Sequence, residues 1–138
     1  YSKFKVYFHD TGLLGARLNI SSDIIIKPTE LFSEFNGAFI ENFVATELIS
    51  SGNKDLFYWT SNSEAEVDFV IQIQNEIYPI EVKSGANRNI KGLRSYSDKY
   101  EPRLIFRTSP RNFIRDKEFI NIPLYAISII KHLTHTNN

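Results

Sequence analysis

Two segments of alternating apolar residues, 66–73 and 77–83, constrain the fold more than any other feature of the sequence. Three polar residues, 74–76, separate them. Side chains of a strand point alternately to its two faces, so a period of two over seven or eight residues indicates a strand with one buried face. Two such segments joined by a short polar break predict an antiparallel hairpin.

The predicted hairpin carries three charged side chains among large apolar neighbours. In the first strand the alternation predicts that Val67 and Phe69 share one face and that Asp68 lies on the other. In the second strand Glu81 and Lys83 are two residues apart and share a face. The hairpin can therefore bring Asp68, Glu81 and Lys83 to one side of a sheet. Charged groups in apolar surroundings are costly unless they pair or hold a metal ion.

Composition restricts the class of protein. The 138 residues are 42% hydrophobic and 14% aromatic, which is typical of one folded domain spanning residues 1–138. The sequence has no cysteine, which excludes disulfides and thiolate metal sites. It has neither an apolar run of membrane-spanning length nor a signal-peptide pattern, so we expect a cytoplasmic protein without a membrane partner. Because Tyr1 opens the chain within an alternating segment, we also expect a piece of a longer protein.

The zero net charge conceals a separation of charge along the chain. Residues 30–81 contain ten acidic residues and one basic residue, whereas residues 83–117 contain ten basic and three acidic residues. One interpretation is a cation-attracting acidic region beside a surface that meets phosphates. The other is that the two segments neutralise each other across the fold. The sequence does not decide between them.

The remaining pattern predicts strands alternating with helices. The best-defined helix covers residues 38–49, with a possible earlier start near Thr29, and Gly52 suits the left-handed position after its end. Glu41 lies at the edge of its apolar face. A short apolar run at 23–27 has no clear type. Further strands are predicted at 3–8, 56–59, 103–107 and 119–122, and further helices at 11–18, 90–100 and 124–133. This order predicts a layered α/β domain, with a mixed central sheet that contains the antiparallel hairpin and is flanked by helices.

The charged hairpin suits metal-assisted hydrolysis of phosphodiesters. Hard cations such as Mg²⁺ take oxygen ligands, often one or two carboxylates. A bound cation can lower the pKa of a water molecule and offset charge in the transition state, and a nearby lysine can orient that water or stabilise the developing charge. The alternative is that Glu81 and Lys83 form a solvated ion pair of small energetic value.

The spacing of these residues resembles a known signature. Asp68, followed thirteen positions later by Glu81-Val82-Lys83, is similar to the motif of PD-(D/E)XK nucleases, which include restriction-endonuclease-like enzymes and Holliday-junction resolvases. Val67 stands where the proline of the motif would be. Glu41 resembles the acidic residue that these folds often carry on their first helix. Segments 5–13, 39–48, 58–59, 66–69 and 80–85 resemble more closely an uncharacterised C-terminal domain found behind bacterial and archaeal AAA+-type ATPase modules.

The resemblance, which covers about residues 5–113, implies a restriction-endonuclease-like fold and a prokaryotic protein with an ATPase module in the same full-length chain. It implies that Asp68, Glu81 and the main-chain carbonyl of Val82 bind Mg²⁺ or Mn²⁺. Lys83 would then act on the water or the developing charge, Glu41 would be an accessory acid, and DNA would be the partner.

Three functions follow as hypotheses. The first is a nuclease-like domain with metal-dependent hydrolysis of nucleic-acid phosphodiesters. The second is a non-catalytic accessory module of an AAA+-type ATPase that binds nucleic acid or a protein. The third is a structural or dimerising domain. The sequence leaves the oligomeric state open.

Overall fold

The computed structural model describes residues 4–19, 30–62, 65–85 and 89–135, and for residues 30–36 it describes the backbone alone. The apolar run at 23–27 lies outside these ranges. Everything that follows refers to the described residues.

A mixed six-stranded sheet forms the centre of the fold. Its order is β1-β2-β3-β4-β6-β5. The β1–β2, β2–β3 and β5–β6 pairs are antiparallel, whereas β3–β4 and β4–β6 are parallel. The mixed α/β sheet with an antiparallel hairpin, predicted from the sequence, is confirmed at this level. The strands are β1 Phe57–Thr60, β2 Glu66–Ile73, β3 Glu76–Val82, β4 Ile105–Ser109, β5 Ile114–Asp116 and β6 Phe119–Pro123.

Helices cover both faces of the sheet. Neighbouring residues of β4, Ile105 and Phe106, belong to separate hydrophobic clusters, because successive side chains of a strand point to opposite faces. Helix α2 and the C-terminal helices cover the cluster that contains Phe106, and α3 covers the other. The helices are α1 Thr11–Arg17, α2 Glu30–Ser50, α3 Lys91–Tyr100, a 3₁₀ helix Leu124–Ile129 and α4 Ile130–His135.

Helix α2 begins close to the early start that the sequence allows. Its buried residues include Val44 and Leu48, as the apolar spacing predicts. It ends in a Schellman motif, in which Gly52 N–H donates to the Ile49 carbonyl at 2.9 Å and Asn53 N–H donates to the Leu48 carbonyl at 3.1 Å. Gly52 has a φ of 87°, the left-handed conformation expected for this position.

The hairpin forms as predicted, but the alternation of β2 does not continue to its start. Phe69 packs in the cluster under α2, whereas Val67 packs in the cluster under α3. The reason is a bulge, because two steps along β1 from Phe57 to Trp59 match three steps along β2 from Val70 to Val67. The extra residue reverses which face of the sheet the side chains point to on the N-terminal side of the bulge in β2. The prediction that Val67 and Phe69 share a face was therefore wrong.

The N-terminal segment 4–8 is extended but is not a strand of the sheet, so the predicted strand at 3–8 was wrong within these residues. Its alternation instead directs Lys5 and Tyr7 toward α2. The side chain of Asn42 replaces a neighbouring strand: its Oδ1 accepts the Phe8 N–H at 2.7 Å, and its Nδ2 donates to the Phe8 carbonyl at 3.3 Å. A side-chain amide carries an acceptor oxygen and an NH₂ donor group, so Asn42 satisfies both backbone groups of Phe8.

Candidate functional site

Three carboxylates converge on one ammonium group near the start of β2. Lys5 Nζ lies 2.9 Å from Glu41 Oε1, 2.6 Å from Glu66 Oε1 and 3.8 Å from Asp68 Oδ1. We call Glu41, Glu66 and Asp68 the acid cluster. All four side chains are partly accessible to solvent. The structure thus brings the predicted residues Glu41 and Asp68 together, through a lysine that the sequence did not single out.

Tyr7, on the N-terminal segment, holds the one residue of the acid cluster that lies on α2, Glu41. Its hydroxyl donates a 2.6 Å hydrogen bond to the same oxygen of Glu41 that accepts Lys5. Its ring packs at a tilt against Phe69, with 5.6 Å between ring centroids. Helix α2, the bulged start of β2 and the N-terminal segment therefore each contribute one wall. The only hint of this in the sequence is the spacing of two between Lys5 and Tyr7.

Asp68 lies immediately beyond the last paired residues of strands β2 and β3. The pairing of β2 with β3 runs from Ile73 opposite Glu76 to Phe69 opposite Ile80. Just beyond it, Asp68 Oδ2 accepts the backbone N–H of Val82 at 2.7 Å. The carboxylate thus replaces the next ladder bond and connects the acid cluster to the strand that carries Glu81 and Lys83.

Burial and neighbouring carboxylates raise the pKa of Asp68. Burial raises its pKa most, and the backbone hydrogen bond from Val82 lowers it. The charges of Glu41 and Glu81 raise the pKa and that of Lys5 lowers it, for a net value of about 6. The effect of Glu81 on Asp68 places both predicted metal ligands in one electrostatic environment. Excess negative charge around a half-buried carboxyl is the condition that a cation would relieve.

The raised pKa of Asp68 predicts a pH dependence of stability. Its folded-state pKa of about 6 lies above the ordinary value of 3.8, so the folded chain holds this proton more tightly than the unfolded chain. The stability from this proton is therefore present below pH 4 and is lost as the pH rises through 6. We expect the free energy of unfolding of the wild type, minus that of Asp68→Asn, to fall by on the order of 2–3 kcal/mol between pH 4 and pH 7. Urea unfolding at both pH values measures the difference, and a constant or rising difference would contradict it.

The acid cluster also shifts the pKa of the groups that contact it. Burial alone would lower the pKa of Lys5, but its hydrogen bonds to Glu66 and Glu41 outweigh burial, and the net pKa lies above the ordinary value. Burial and the hydrogen bond to Glu41 raise the pKa of Tyr7. Lys5 is thus held as an ammonium ion and Tyr7 as a neutral phenol donor at neutral pH.

Glu81 and Lys83 form a second ion pair, with Lys83 Nζ 2.5 Å from Glu81 Oε1. The alternative of a solvated pair is wrong for Glu81, which is only 5% exposed. Its other oxygen, Oε2, is buried and has no hydrogen-bond partner in the described ranges. A buried carboxylate oxygen without a partner carries a cost, and such atoms in a folded protein need an explanation.

The four carboxylates and two lysines leave a formal excess of two negative charges. Within the described residues, the ion pairs of these carboxylates are with Lys5 for Glu41, Glu66 and Asp68, and with Lys83 for Glu81. In the described part of the chain, no group of three or more His, Asp or Glu side chains is arranged to hold a metal ion. The ammonium of Lys5 lies between the carboxylates instead.

An open cleft of about 340 Å³ gives solvent a path to this region. Lys5, Lys54 and Asp68 contribute its charged lining, and aromatic walls come from Phe4, Phe57 and Tyr58 among others. Asp68 is therefore accessible from outside, although it is half buried.

The basic segment is partly used inside the fold. Arg103 donates to the Tyr78 hydroxyl at 2.8 Å and to the Thr134 carbonyl at 2.6 Å. Arg107 is buried, donates to Asn121 at 2.7 Å and lies over the Phe119 ring. These two arginines thus have internal partners. Among the described residues of the basic segment, Arg103 is still exposed despite these bonds, and so are Lys91, Arg94, Lys99, Arg115 and Lys117.

None of the helices in the described ranges combines the length and apolar character that a membrane span requires.

The family model described as "Domain of unknown function (DUF4143)" matches residues 36–127, and the chain belongs to this family. The match includes Glu41, Asp68, Glu81 and Lys83, whereas Lys5 and Tyr7 lie before it.

Two curated relatives are similar to this chain. They are the "Uncharacterized protein Rv2008c" of Mycobacterium tuberculosis and the "Uncharacterized protein Mb2031c" of Mycobacterium bovis. Each is 29% identical over 93 residues, which are 66% of this chain and 20% of the relative. The matched region thus spans about a fifth of the length of these relatives. No solved structure matches the chain.

Proposed function

We propose that this chain is a nuclease-like domain of the PD-(D/E)XK type, with metal-dependent hydrolysis of nucleic-acid phosphodiesters. One observation carries the proposal. Asp68 accepts the Val82 N–H at the end of the hairpin pairing, and the charges of both Glu41 and Glu81 raise its pKa. Lys83 pairs with Glu81 in the same region. These are the residues that the nuclease resemblance assigns.

The topology is compatible with a restriction-endonuclease-like fold, which is part of the proposal. The antiparallel hairpin β2–β3 leads through α3 into β4, which pairs parallel with β3. The acidic helix α2 precedes the hairpin in the chain and packs against its buried face. The charged ends of β2 and β3 are thus left at one end of the sheet.

The residues present fit a hard divalent cation by their chemistry. Carboxylate and carbonyl oxygens are the donors that Mg²⁺ and Mn²⁺ prefer. Glu81 Oε2 is buried without a partner, and the region keeps an excess of negative charge. Asp68, Glu81 and the Val82 carbonyl would hold the ion. A bound ion would lower the pKa of a water molecule and offset charge on the phosphate.

The chain's own side chains would supply the rest of the chemistry. Lys83, held by Glu81 at 2.5 Å, would present its ammonium to a phosphate oxygen or orient the attacking water. Glu41 would act as the accessory acid from α2. The Tyr7 hydroxyl keeps Glu41 oriented toward the cluster. DNA in a prokaryotic cytoplasm is the substrate that the proposal expects.

The test is cleavage of end-labelled duplex, single-stranded and branched DNA with MgCl₂ or MnCl₂, against the same mixtures with EDTA. We expect Asp68→Asn and Lys83→Ala to lose cleavage by at least about 100-fold, because each removes a preorganised charge. Lys91→Ala, an exposed lysine at the start of α3, is the matched control and should cleave like the wild type. A wild type that is inert on all three substrates with both metals contradicts the proposal.

A second candidate is favoured by the Lys5 ion pairs. A lysine that neutralises the acid cluster suits a non-catalytic accessory module that binds nucleic acid or a protein partner. The share of the relatives that the match covers leaves room for further modules, and an ATPase module in the full-length chain belongs to both candidates. For this candidate, binding survives Asp68→Asn. Steep salt dependence of that binding would indicate phosphate contacts.

A further inference from the structure

The N-terminal segment 4–8, which we call the strap, places a positive charge in the acid cluster. Lys5 lies within 3 Å of both Glu41 and Glu66 and 3.8 Å from Asp68. The structure provides this cation from outside the region that the family model matches. One side chain thus occupies the space among carboxylates of three different positions on two elements.

The strap is attached by side chains and not by a sheet ladder. Tyr7 donates to Glu41, and Asn42 binds both backbone groups of Phe8. The side chains of Phe4 and Val6, which precede these contacts, are 80% and 75% exposed. Segments with few buried apolar contacts open locally at a lower free energy than the core does. Tyr7 is the residue of the strap that packs against the core, so we expect the strap to open at a lower free energy than the sheet.

A second observation points to a ligand on the neighbouring strand β3. Glu81 is buried, yet its Oε2 has no partner in the described residues, although Oε1 is paired with Lys83. The open cleft beside Lys5 and Asp68 provides a path for a small ion. Glu81 thus offers an unused oxygen, and Asp68, whose pKa the charge of Glu81 raises, is the carboxylate that lines the cleft.

We propose that the strap is autoinhibitory, and that Lys5, which pairs with Glu41, competes with a divalent cation for Asp68. An ammonium 3.8 Å from Asp68 repels a divalent cation on the same carboxylate and so weakens its binding. Any change that removes Lys5 or lifts the strap then strengthens cation binding. The inference rests on the proposed function, because that function assigns the cation to Asp68.

The experiment is isothermal titration calorimetry of the 138-residue chain with MnCl₂ alone. We expect Lys5→Gln to bind Mn²⁺ at least about tenfold more tightly than the wild type, because the competing charge is gone. Lys5→Arg keeps the charge and should bind as weakly as the wild type. Lys91→Gln removes an exposed charge elsewhere and should also leave the affinity unchanged. Asp68→Asn added to Lys5→Gln should abolish the gain. Equal affinity of Lys5→Gln and the wild type would overturn the inference.

A further variant protects the test against a folding defect. If circular dichroism shows that Lys5→Gln unfolds, Glu66→Gln weakens the shortest ion pair of Lys5 without touching a proposed metal ligand. Glu66→Gln should then bind Mn²⁺ several-fold more tightly, and unchanged binding overturns the inference.

The inference and the proposed function fail in different ways. Tight Mn²⁺ binding by Lys5→Gln without cleavage of any DNA supports the strap and contradicts the nuclease. Cleavage by the wild type that depends on Asp68, with no gain in Lys5→Gln, supports the nuclease and overturns the strap.

Discussion

Replacing Gly92 with alanine is expected to destabilise the domain by about 3 kcal/mol. Gly92 is buried in the first turn of α3, where the helix meets the backbone of β2. An added Cβ would overlap the carbonyl oxygen of Glu66 and lie 2.9 Å from its carbonyl carbon. Both obstacles are main-chain atoms, so no side-chain rotation can relieve the overlap. The helix or the strand has to move.

Urea unfolding followed by circular dichroism measures this loss. Gly85→Ala is the matched control, because a Cβ at Gly85 meets nothing within 4 Å and its φ is not in the left-handed region. A Gly92→Ala variant as stable as the control would contradict the close approach of α3 to β2. The approach matters for the site because Glu66, whose backbone would be pushed, carries the carboxylate closest to Lys5.

Phe69→Ala is expected to cost about 3–4 kcal/mol of unfolding free energy. Phe69 is 1% exposed and lies between the strands of the hairpin and helix α2 in the larger hydrophobic cluster. Removal of the ring leaves a cavity that the surrounding β-strands cannot collapse into. It also removes the ring against which Tyr7 packs, and with it the support for the hydrogen bond from Tyr7 to Glu41.

Phe57→Ala is the control for the loss of unfolding free energy expected in Phe69→Ala. Phe57 is an aromatic residue of the neighbouring strand β1 but is 61% exposed, so its truncation should cost less than about 1 kcal/mol. Thermal and urea unfolding of both variants measure the contrast. Similar losses for Phe57→Ala and Phe69→Ala would mean that the core does not lie between the hairpin and α2.

The sequence predicts elements well where local pattern and tertiary packing agree. The hairpin is clear because both of its segments alternate and a polar turn separates them. Helix α2 is clear because Val44 and Leu48 fall on one apolar stripe and Gly52 terminates it. Leu93 and Tyr96 likewise mark the buried face of α3. In each case, the residues that define the element also form the core.

The sequence does not predict the local structure where residues distant in the chain determine it. The bulge in β2 arises from pairing with β1, and no local pattern distinguishes Val67 from a residue in regular alternation. The segment around Lys5 alternates like a strand, but side chains on α2 hold it instead of a neighbouring strand. Strand β5, Ile114–Asp116, has three exposed residues, so it leaves no apolar signal.

The candidate site shows the same division. The spacing of Asp68, Glu81 and Lys83 is visible in the sequence, and the structure places Asp68 and Glu81 in one electrostatic environment. The distance from Glu41 to Lys5 depends on how the strap lies against α2, which the sequence does not determine. Charge segregation along the sequence overestimates the exposed positive charge, because Arg107 is buried and donates to Asn121.

The most direct test of the account is metal-dependent cleavage of end-labelled DNA by the wild type and by Asp68→Asn, with both proteins shown to be folded by circular dichroism. The account predicts cleavage by the wild type that requires Mg²⁺ or Mn²⁺, disappears with EDTA and falls by at least about 100-fold in Asp68→Asn. Equal cleavage by the two proteins, or none by the wild type with either metal, would contradict it.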